Sequence, residues 1–297
     1  MKTYIRVAEI WVPDSDGYLL EFGGGVYSNA PEFGAISRKM CFGRGEGLPG
    51  RVWEDGAPII LKTLQGGYFQ RAAAAETAGL TCAVAFPAYF GDLLKAVVVL
   101  FCGDTKGPSS RQSGAIELWR NDPRITSDLK LFDGVYGAHD AAFEAASRET
   151  YLPRGAGLPG AAWQRQASVF LDGLGVSPKF VRAEDAAAAG IRRGLALPCS
   201  VPANENYVLA FLSAPAMPIA TRIESWVPGA DPQALKRAYG FDEASGALPV
   251  EERNASEVDP TVLAAFAGGV PKAGPGALIA LPIVSDGAVV ETLAMYF

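Results

Sequence analysis

The segment GEGLPGRVW, Gly45–Trp53, recurs as GAGLPGAAW, Gly155–Trp163, and the features around it recur in the same order. AEIWVP (Ala8–Pro13) matches IELWRN (Ile116–Asn121), and FGGGVY (Phe22–Tyr27) matches FDGVYG (Phe132–Gly137). RAAAAETAGL (Arg71–Leu80) matches RAEDAAAAGI (Arg182–Ile191). CAVAFPAYF (Cys82–Phe90) matches RGLALPCSV (Arg193–Val201), and AVVVLFCG (Ala96–Gly103) matches YVLAFLSA (Tyr207–Ala214). A shift held at about 110 residues over so many features means that one structural unit is built at least twice. A third, shorter copy follows: RIESWVP (Arg222–Pro228), LKRAYG (Leu235–Gly240), ALIALPIV (Ala277–Val284) and VVETLAMYF (Val289–Phe297). In it the GxGLPG element survives only as SGALPV, Ser245–Val250. The copies occupy residues 1–105, 112–215 and 219–297, joined by Thr105–Ser113 and Pro215–Pro218, links short enough to predict a compact, semi-rigid array.

Within one copy, alternation over Ile5–Pro13 and Tyr18–Phe22 around Asp14–Gly17 predicts a β-hairpin. Pro49 before Arg51–Asp55 and Gly56 after it bracket a short helix, and Ala57–Leu61 follows as a short strand. Phe69–Ala78 is dominated by alanine, the best helix former, and Gly79 supplies a left-handed cap. Leu80–Phe86 and Leu94–Phe101 are apolar strands, and the Ala138–Ala146 stretch of the second copy is helical. The expected class is therefore α+β, with a central antiparallel sheet flanked by helices in each module.

GxGLPGxVW, then an apolar strand, an Ala-rich RAxxAxxAGL helix, an AxAFP strand and a hydrophobic closing strand together resemble the GAF domain. The resemblance covers residues 1–104 and 112–214 and, more partially, 219–297. It implies a module that binds a small ligand, cyclic nucleotides or tetrapyrroles among them, or that mediates dimerisation. Such modules usually stand beside an output domain, and none is expected within these residues.

Charge narrows the partners. A net charge of −6 and a pI near 5.0, with no Lys/Arg run, argue against nucleic acid. No apolar stretch approaches the ~20 residues that span a bilayer, and Arg6 and Glu9 interrupt any apolar leader core, so a cytoplasmic protein is expected. Cys41, Cys82, Cys102 and Cys199 form no CxxC pair and read as reduced thiols. His139 is the sole histidine, placed for a solvent-facing or capping role; with it alone, no metal site and no His-based catalysis is expected.

The strings Gly45–Gly50 and Gly155–Gly160 satisfy GxGxxG, yet a dinucleotide fingerprint needs a long helix after the glycines and an acidic residue some 20 positions on, which the first repeat lacks. Glycines for positive φ and a helix start explain the motif, although free N–H groups there suit an anion. Neither a P-loop nor a GxSxG elbow occurs. Matched aromatic positions leave two readings open, repeated core packing or a cavity for a flat ligand. On the second, Trp11, Tyr27, Cys41, Trp53 and Phe69 line a pocket in the first copy, and Trp119, Tyr136, Trp163 and Phe180 their counterparts in the second. Alanine-rich helices leave room for it. The third copy, having lost the loop, is read as a cap or contact surface.

The expectation is a non-catalytic sensory or regulatory protein that binds an unidentified small molecule or a signalling partner, or self-associates; no cofactor is specified. One alternative is thiol-dependent reduction of a small oxidised substrate at Cys41, in the manner of GAF-type methionine sulfoxide reductases, since Cys82 and Cys102 fall in buried strands. The bilin-attachment Cys-His pair is absent, and the second copy has no equivalent of Cys41. The other is a pure interaction scaffold, docking through an edge strand that ends at Phe297.

Overall fold

The first hairpin turns as predicted. Asp14 donates its N–H to Leu19 O at 2.9 Å, its carboxylate accepts Tyr18 N–H at 2.9 Å, and Gly17 sits at φ +73. The computed structural model describes residues 2–103, 114–137, 141–202 and 204–297; His139 and the link Thr105–Ser113 lie outside them. In the first module β1 (Ile5–Pro13), β2 (Leu19–Val26), α1 (Pro31–Ser37), β3 (Cys41–Gly43), α2 (Gly47–Asp55), β4 (Ile59–Leu61), α3 (Ala72–Thr77), β5 (Cys82–Phe90) and β6 (Leu93–Cys102) follow in turn. The second repeats them: β7 (Ala115–Asn121), β8 (Leu129–Tyr136), α4 (Ala141–Glu149), β9 (Tyr151–Leu152), α5 (Gly157–Arg165), β10 (Val169–Asp172), α6 (Ala183–Ala188), β11 (Arg193–Cys199) and β12 (Asn206–Ser213). The third keeps β13 (Arg222–Pro228), β14 (Ala234–Asp242), β15 (Gly246–Ala247), β16 (Glu251–Asn254), α7 (Pro260–Gly268), β17 (Lys272–Gly274), β18 (Leu278–Ser285) and β19 (Ala288–Tyr296).

Each module is an antiparallel sheet with the same strand order, 3-2-1-6-5-4 in the first, 9-8-7-12-11-10 in the second and 15-14-13-19-18-17 in the third. One face of each sheet carries its helices. The other faces meet in one shared core that holds Ile10, Val98 and Leu100, then Leu118, Leu209 and Phe211, then Ile223, Leu281 and Leu293. On the helix side of the first sheet, Val97, Val99 and Phe101 alternate with those residues and face Leu48, Val52 and Ala75. Burial on both faces is why β6 reads as an unbroken apolar run from Ala96 to Cys102. Burying one such side chain contributes about 1.5–3 kcal/mol.

The modules close head to tail. β4 of the first meets β8 of the second, and β17 of the third returns to β2 of the first. Phe170 on β10 packs on Tyr239 and Phe241 of β14, with ring centroids 6.3 and 5.3 Å away. A heterologous contact repeated until it closes makes a ring. The register makes Ile60, Phe170 and Ala273 equivalent, and opposite them across the seams stand Asp133 and Val135, Tyr239 and Phe241, and Gly24 and Val26. The three seams thus use the same positions with different sizes. Pro215–Pro218 is also part of the packing: Met217 is buried and Pro218 O accepts Tyr4 N–H at 2.7 Å.

Several elements differ from the sequence reading. GLPG forms the first turn of α2 and α5 instead of preceding a helix at Arg51, because Pro49 and Pro159 lack only an N–H that a first turn leaves free. The Ala-rich helices are shorter, six residues each, and leave Phe69 and Phe180 in the preceding turns. SGALPV is not a helix start; Gly246–Ala247 is strand, and α7, capped by Asp259 and ended by left-handed Gly269, takes the place of α2 in the third sheet. β19, ending beside Phe297, lies between β13 and β18, so its backbone is paired on both sides and offers no docking edge.

Candidate functional site

A glutamate two residues before each strand tryptophan shares its face of the sheet: Glu9 with Trp11, Glu117 with Trp119, Glu224 with Trp226. In every module the register with the next strand slips between the tryptophan and the residue before it, a bulge that bends the strand at this point. The indole N–H donates to the carboxylate at 3.1, 2.9 and 2.8 Å respectively. Glu9 and Glu117 are fully buried, and each needs a cation.

Arginine supplies it. Arg71, just ahead of α3, grips Glu9 with both Nη atoms at 2.6 and 2.9 Å; Arg182, ahead of α6, grips Glu117 at 2.6 and 2.8 Å. Such bidentate pairs are the strongest side-chain hydrogen bonds. Tyr27 and Tyr136 donate to the same carboxylates at 3.0 and 2.9 Å, and Ser37 and Ser147 close the network from the ends of α1 and α4. Opposite each glutamate in the ladder stands glycine, Gly25 or Gly134; a Cβ there would sit 3.0 or 2.7 Å from the tyrosine ring that crosses it. The guanidinium of Arg71 lies 4.5–5.7 Å from the rings of Trp11, Phe33, Phe69 and Phe101, and that of Arg182 4.7–5.1 Å from Trp119, Phe143 and Phe180.

Burial raises the Glu117 carboxyl, but Arg182, Ser147 and Trp119 outweigh it and hold the group below the ordinary carboxylate range. Burial and then the neighbouring negative charge push the Tyr27 and Tyr136 phenols far above theirs. The third module lacks a helix equivalent to α3 and still meets the requirement. Arg237, on β14 opposite Trp226, reaches Glu224 at 3.2 Å, while Arg222 adds a second guanidinium at 2.6 Å.

Of the residues expected to line ligand pockets, Trp11, Tyr27 and Phe69 converge on Arg71, and Trp119, Tyr136 and Phe180 on Arg182. The space between sheet and helices is filled by the protein's own arginine, whose side chain is only 3–4% exposed. Trp53 packs half-buried on the helix side of the sheet. Cys41 is exposed on β3, with β2 and β1 between it and Cys102, which faces Cys82 across the β5–β6 ladder. The GxGLPG motif is accounted for locally. Gly45 and Gly155 take φ +78 and +91, and a Cβ on Gly50 or Gly160 would meet the carbonyl oxygen of Gly43 or Pro153 at 2.0 or 2.6 Å. The repeated E-x-W and the arginine that opens RAxxA were the signals for the buried pairs. Arg237 has no such signal, since it comes from a different strand.

Trp163 stands elsewhere. With Arg154 over its ring at 5.7 Å, it borders a cavity of about 590 Å³ where strand ends of all three sheets meet. Tyr89 comes from β5, Cys199 and Tyr207 from β11 and β12, and Val284–Gly287 from the β18–β19 turn. Ser200 Oγ bridges two modules by donating to Val284 O at 2.9 Å. Among the described residues no group of three or more His, Cys, Asp or Glu side chains could hold a metal ion, and no helix is long and apolar enough to cross a membrane.

No protein-family model and no curated protein matches the chain. Among solved structures, parts of it are similar to the nlh2 GAF domain of A. aeolicus in an inactive state, at 17% identity over 35% of this chain and 62% of that one, with a TM-score of 0.28. A mutated NreA protein from Staphylococcus aureus, altered in its nitrate binding site, is 16% identical over 34% of this chain and 76% of its own, with a TM-score of 0.29. The free methionine-R-sulfoxide reductase from Neisseria meningitidis is 19% identical over 33% and 51%, with a TM-score of 0.26. Several of the similar structures are GAF domains, the family that the GxGLPG motif resembles, and each spans about a third of this chain.

Proposed function

We propose that the chain is a non-catalytic sensory or regulatory protein that binds a small ligand, and that it works as one unit of three modules rather than as independent receptors. The observation that carries this reading is the cavity to which all three sheets contribute. The interiors of the two intact modules are closed by Arg71 and Arg182, which favours the junction between modules over a module's interior as the binding place. The junction walls are polar, with Arg154, Gln166, Ser200, Asn206 and Ser285 around the Trp163 and Tyr207 rings, a set suited to a small polar molecule with a flat portion. Isothermal titration against cyclic nucleotides, haem and a metabolite panel tests it. A saturable heat in the wild-type protein, abolished by Ser285→Trp or Arg154→Glu, supports the reading; silence across the panel sinks it and leaves only the protein-interaction version.

Thiol-dependent reduction at Cys41 is the second reading. Its exposure favours it, while the intervening strands oppose a resolving role for Cys82 or Cys102. An alkylation rate for Cys41 no faster than that of a free thiol at neutral pH removes it.

A further inference from the structure

The seam between the second and third modules differs from the other two in being open. At the return seam, Ala273 meets Gly24 so closely that a Cβ on the glycine would stand 3.3 Å from the alanine methyl. At the first seam, Ile60 faces Val135, and Lys62 pairs with Asp133 at 2.7 Å. At the second seam the same positions carry Phe170, Tyr239 and Phe241, with Phe170 and Tyr239 stacked at an interplanar angle of 14°. Rings of this size hold the strands apart, and a cavity of about 580 Å³ opens beside them. Leu248 and Val250 form its other wall, and Val250 is 61% exposed at the mouth.

One end of the cavity carries two arginines, Arg192 and Arg193, with the carboxylates of Asp172 and Glu243 beside them. The β11 position held by Arg193 is occupied by Cys82 on β5 and Ala277 before β18, so the arginine is particular to this seam. Its guanidinium lies 4.7 Å from the Phe241 ring, and Nη1 pairs with Glu243 at 2.6 Å. Its side chain is nine-tenths buried, and Nε has no hydrogen-bond partner; Asp172 lies 3.3 Å from it without the alignment a hydrogen bond needs. The same Asp172 oxygen also serves the adjacent Arg192 at 3.3 Å. Charge-assisted bonds between guanidinium and carboxylate run at about 2.7–2.9 Å. The two Nε atoms therefore share one distant acceptor, and the buried one, on Arg193, is left unsatisfied, a costly state.

We propose that this seam binds a flat, largely apolar organic anion, its body against Phe170, Phe241 and Val250 and its acid group at Arg192 and Arg193. The site is separate from the three-sheet junction. Its occupancy ties the second module to the third.

The test uses the full chain and 1-anilinonaphthalene-8-sulfonate, a flat apolar anion whose fluorescence rises on burial, with N-phenyl-1-naphthylamine as the same body without the sulfonate. The expected result is one-to-one binding of the anion. Loss of the sulfonate, Arg192→Glu and Val250→Asp each weaken it roughly tenfold or more, the effect of about 1.4 kcal/mol. Arg192→Lys retains most of the affinity, and Arg154→Glu, at the junction cavity, leaves it unchanged. Arg192 and Val250 are exposed, so near-ultraviolet circular dichroism is expected to show the wild-type fold in these variants. Equal affinity for the neutral analogue, wild-type affinity in Arg192→Glu and Val250→Asp, loss in Arg154→Glu, or no binding by the wild-type protein would overturn the assignment.

Discussion

Two buried glutamates, Glu117 inside the second module and Glu291 at the seam beside it, are 0% and 1% exposed and respond in opposite directions. Glu117 is gripped by Arg182 and lies below the ordinary carboxylate range. Glu291 accepts Ser168 N–H at 2.7 Å and the Ser168 hydroxyl across the seam, and Ser225 within its own module, all neutral groups. Burial therefore wins, and its carboxyl is raised. The counter-ion is the decisive difference, since both groups are buried and both accept neutral hydrogen bonds. Ser168 can serve Glu291 because it has an N–H to give; the equivalent positions before β4 and β17 are Pro58 and Pro271. The seam carboxylate and its serine are thus a matched pair found at one seam of three.

The sharpest way to break the comparison is Arg182→Met, which leaves Glu117, like Glu291, buried with neutral donors alone, the Trp119 indole and the Tyr136 and Ser147 hydroxyls. Stripping one partner from a buried ion pair is expected to cost about 3–5 kcal/mol in denaturant unfolding. A loss under about 1 kcal/mol would mean that the arginine is dispensable. The double variant Glu117→Gln/Arg182→Met is expected to recover part of that loss, with a coupling of about 0.5–3 kcal/mol read from the double-mutant cycle.

Smaller is the effect of pH, which acts on the two glutamates in opposite directions. Because the folded Glu291 carboxyl is raised, its contribution is fully present below the unfolded value and is lost as pH rises through the folded one. Melting curves between pH 4 and 8 are expected to show Glu291→Gln gaining on the wild-type protein as pH rises. Glu117, being lowered, contributes above its unfolded value and loses that contribution as pH falls through the folded one, so Glu117→Gln is expected to be most costly near neutrality. The same slope in both series would refute the contrast. The smallest effect belongs to Lys62→Ala at the first seam. With Lys62 and Asp133 side chains 50% and 30% exposed, it is expected to change unfolding free energy by no more than about 0.5 kcal/mol.

Much of this fold was legible in the sequence. The repeat announced three sheets, Asp14–Gly17 the hairpin, Gly56 and Gly79 the helix ends, and the Val-rich run Leu94–Phe101 a strand. What covers its second face was not legible, since the alternation of Val97 and Val98 between two cores is a property of the assembled ring. The candidate pocket was half legible. Trp11, Tyr27 and Phe69 converge, as do Trp119, Tyr136 and Phe180, while Trp53 and Trp163 stand apart; rings drew the reading to a cavity, whereas a carboxylate two residues from each tryptophan required an arginine in that space. Arg237 shows the limit: its role is the same as that of Arg71, and its place in the repeat is not. The seam cavity depends on residues such as Arg193 and Phe241, some 50 positions apart, that no local pattern connects.

The shared core also sets a timetable for synthesis. The first sheet leaves the ribosome with Ile10, Val98 and Leu100 facing outward, and Leu281 and Leu293, which help cover them, are made nearly 200 residues later. At about 5–20 residues per second, that apolar face waits on the order of ten to forty seconds for its last neighbour. Until then the same face is the surface on which a half-made chain can aggregate.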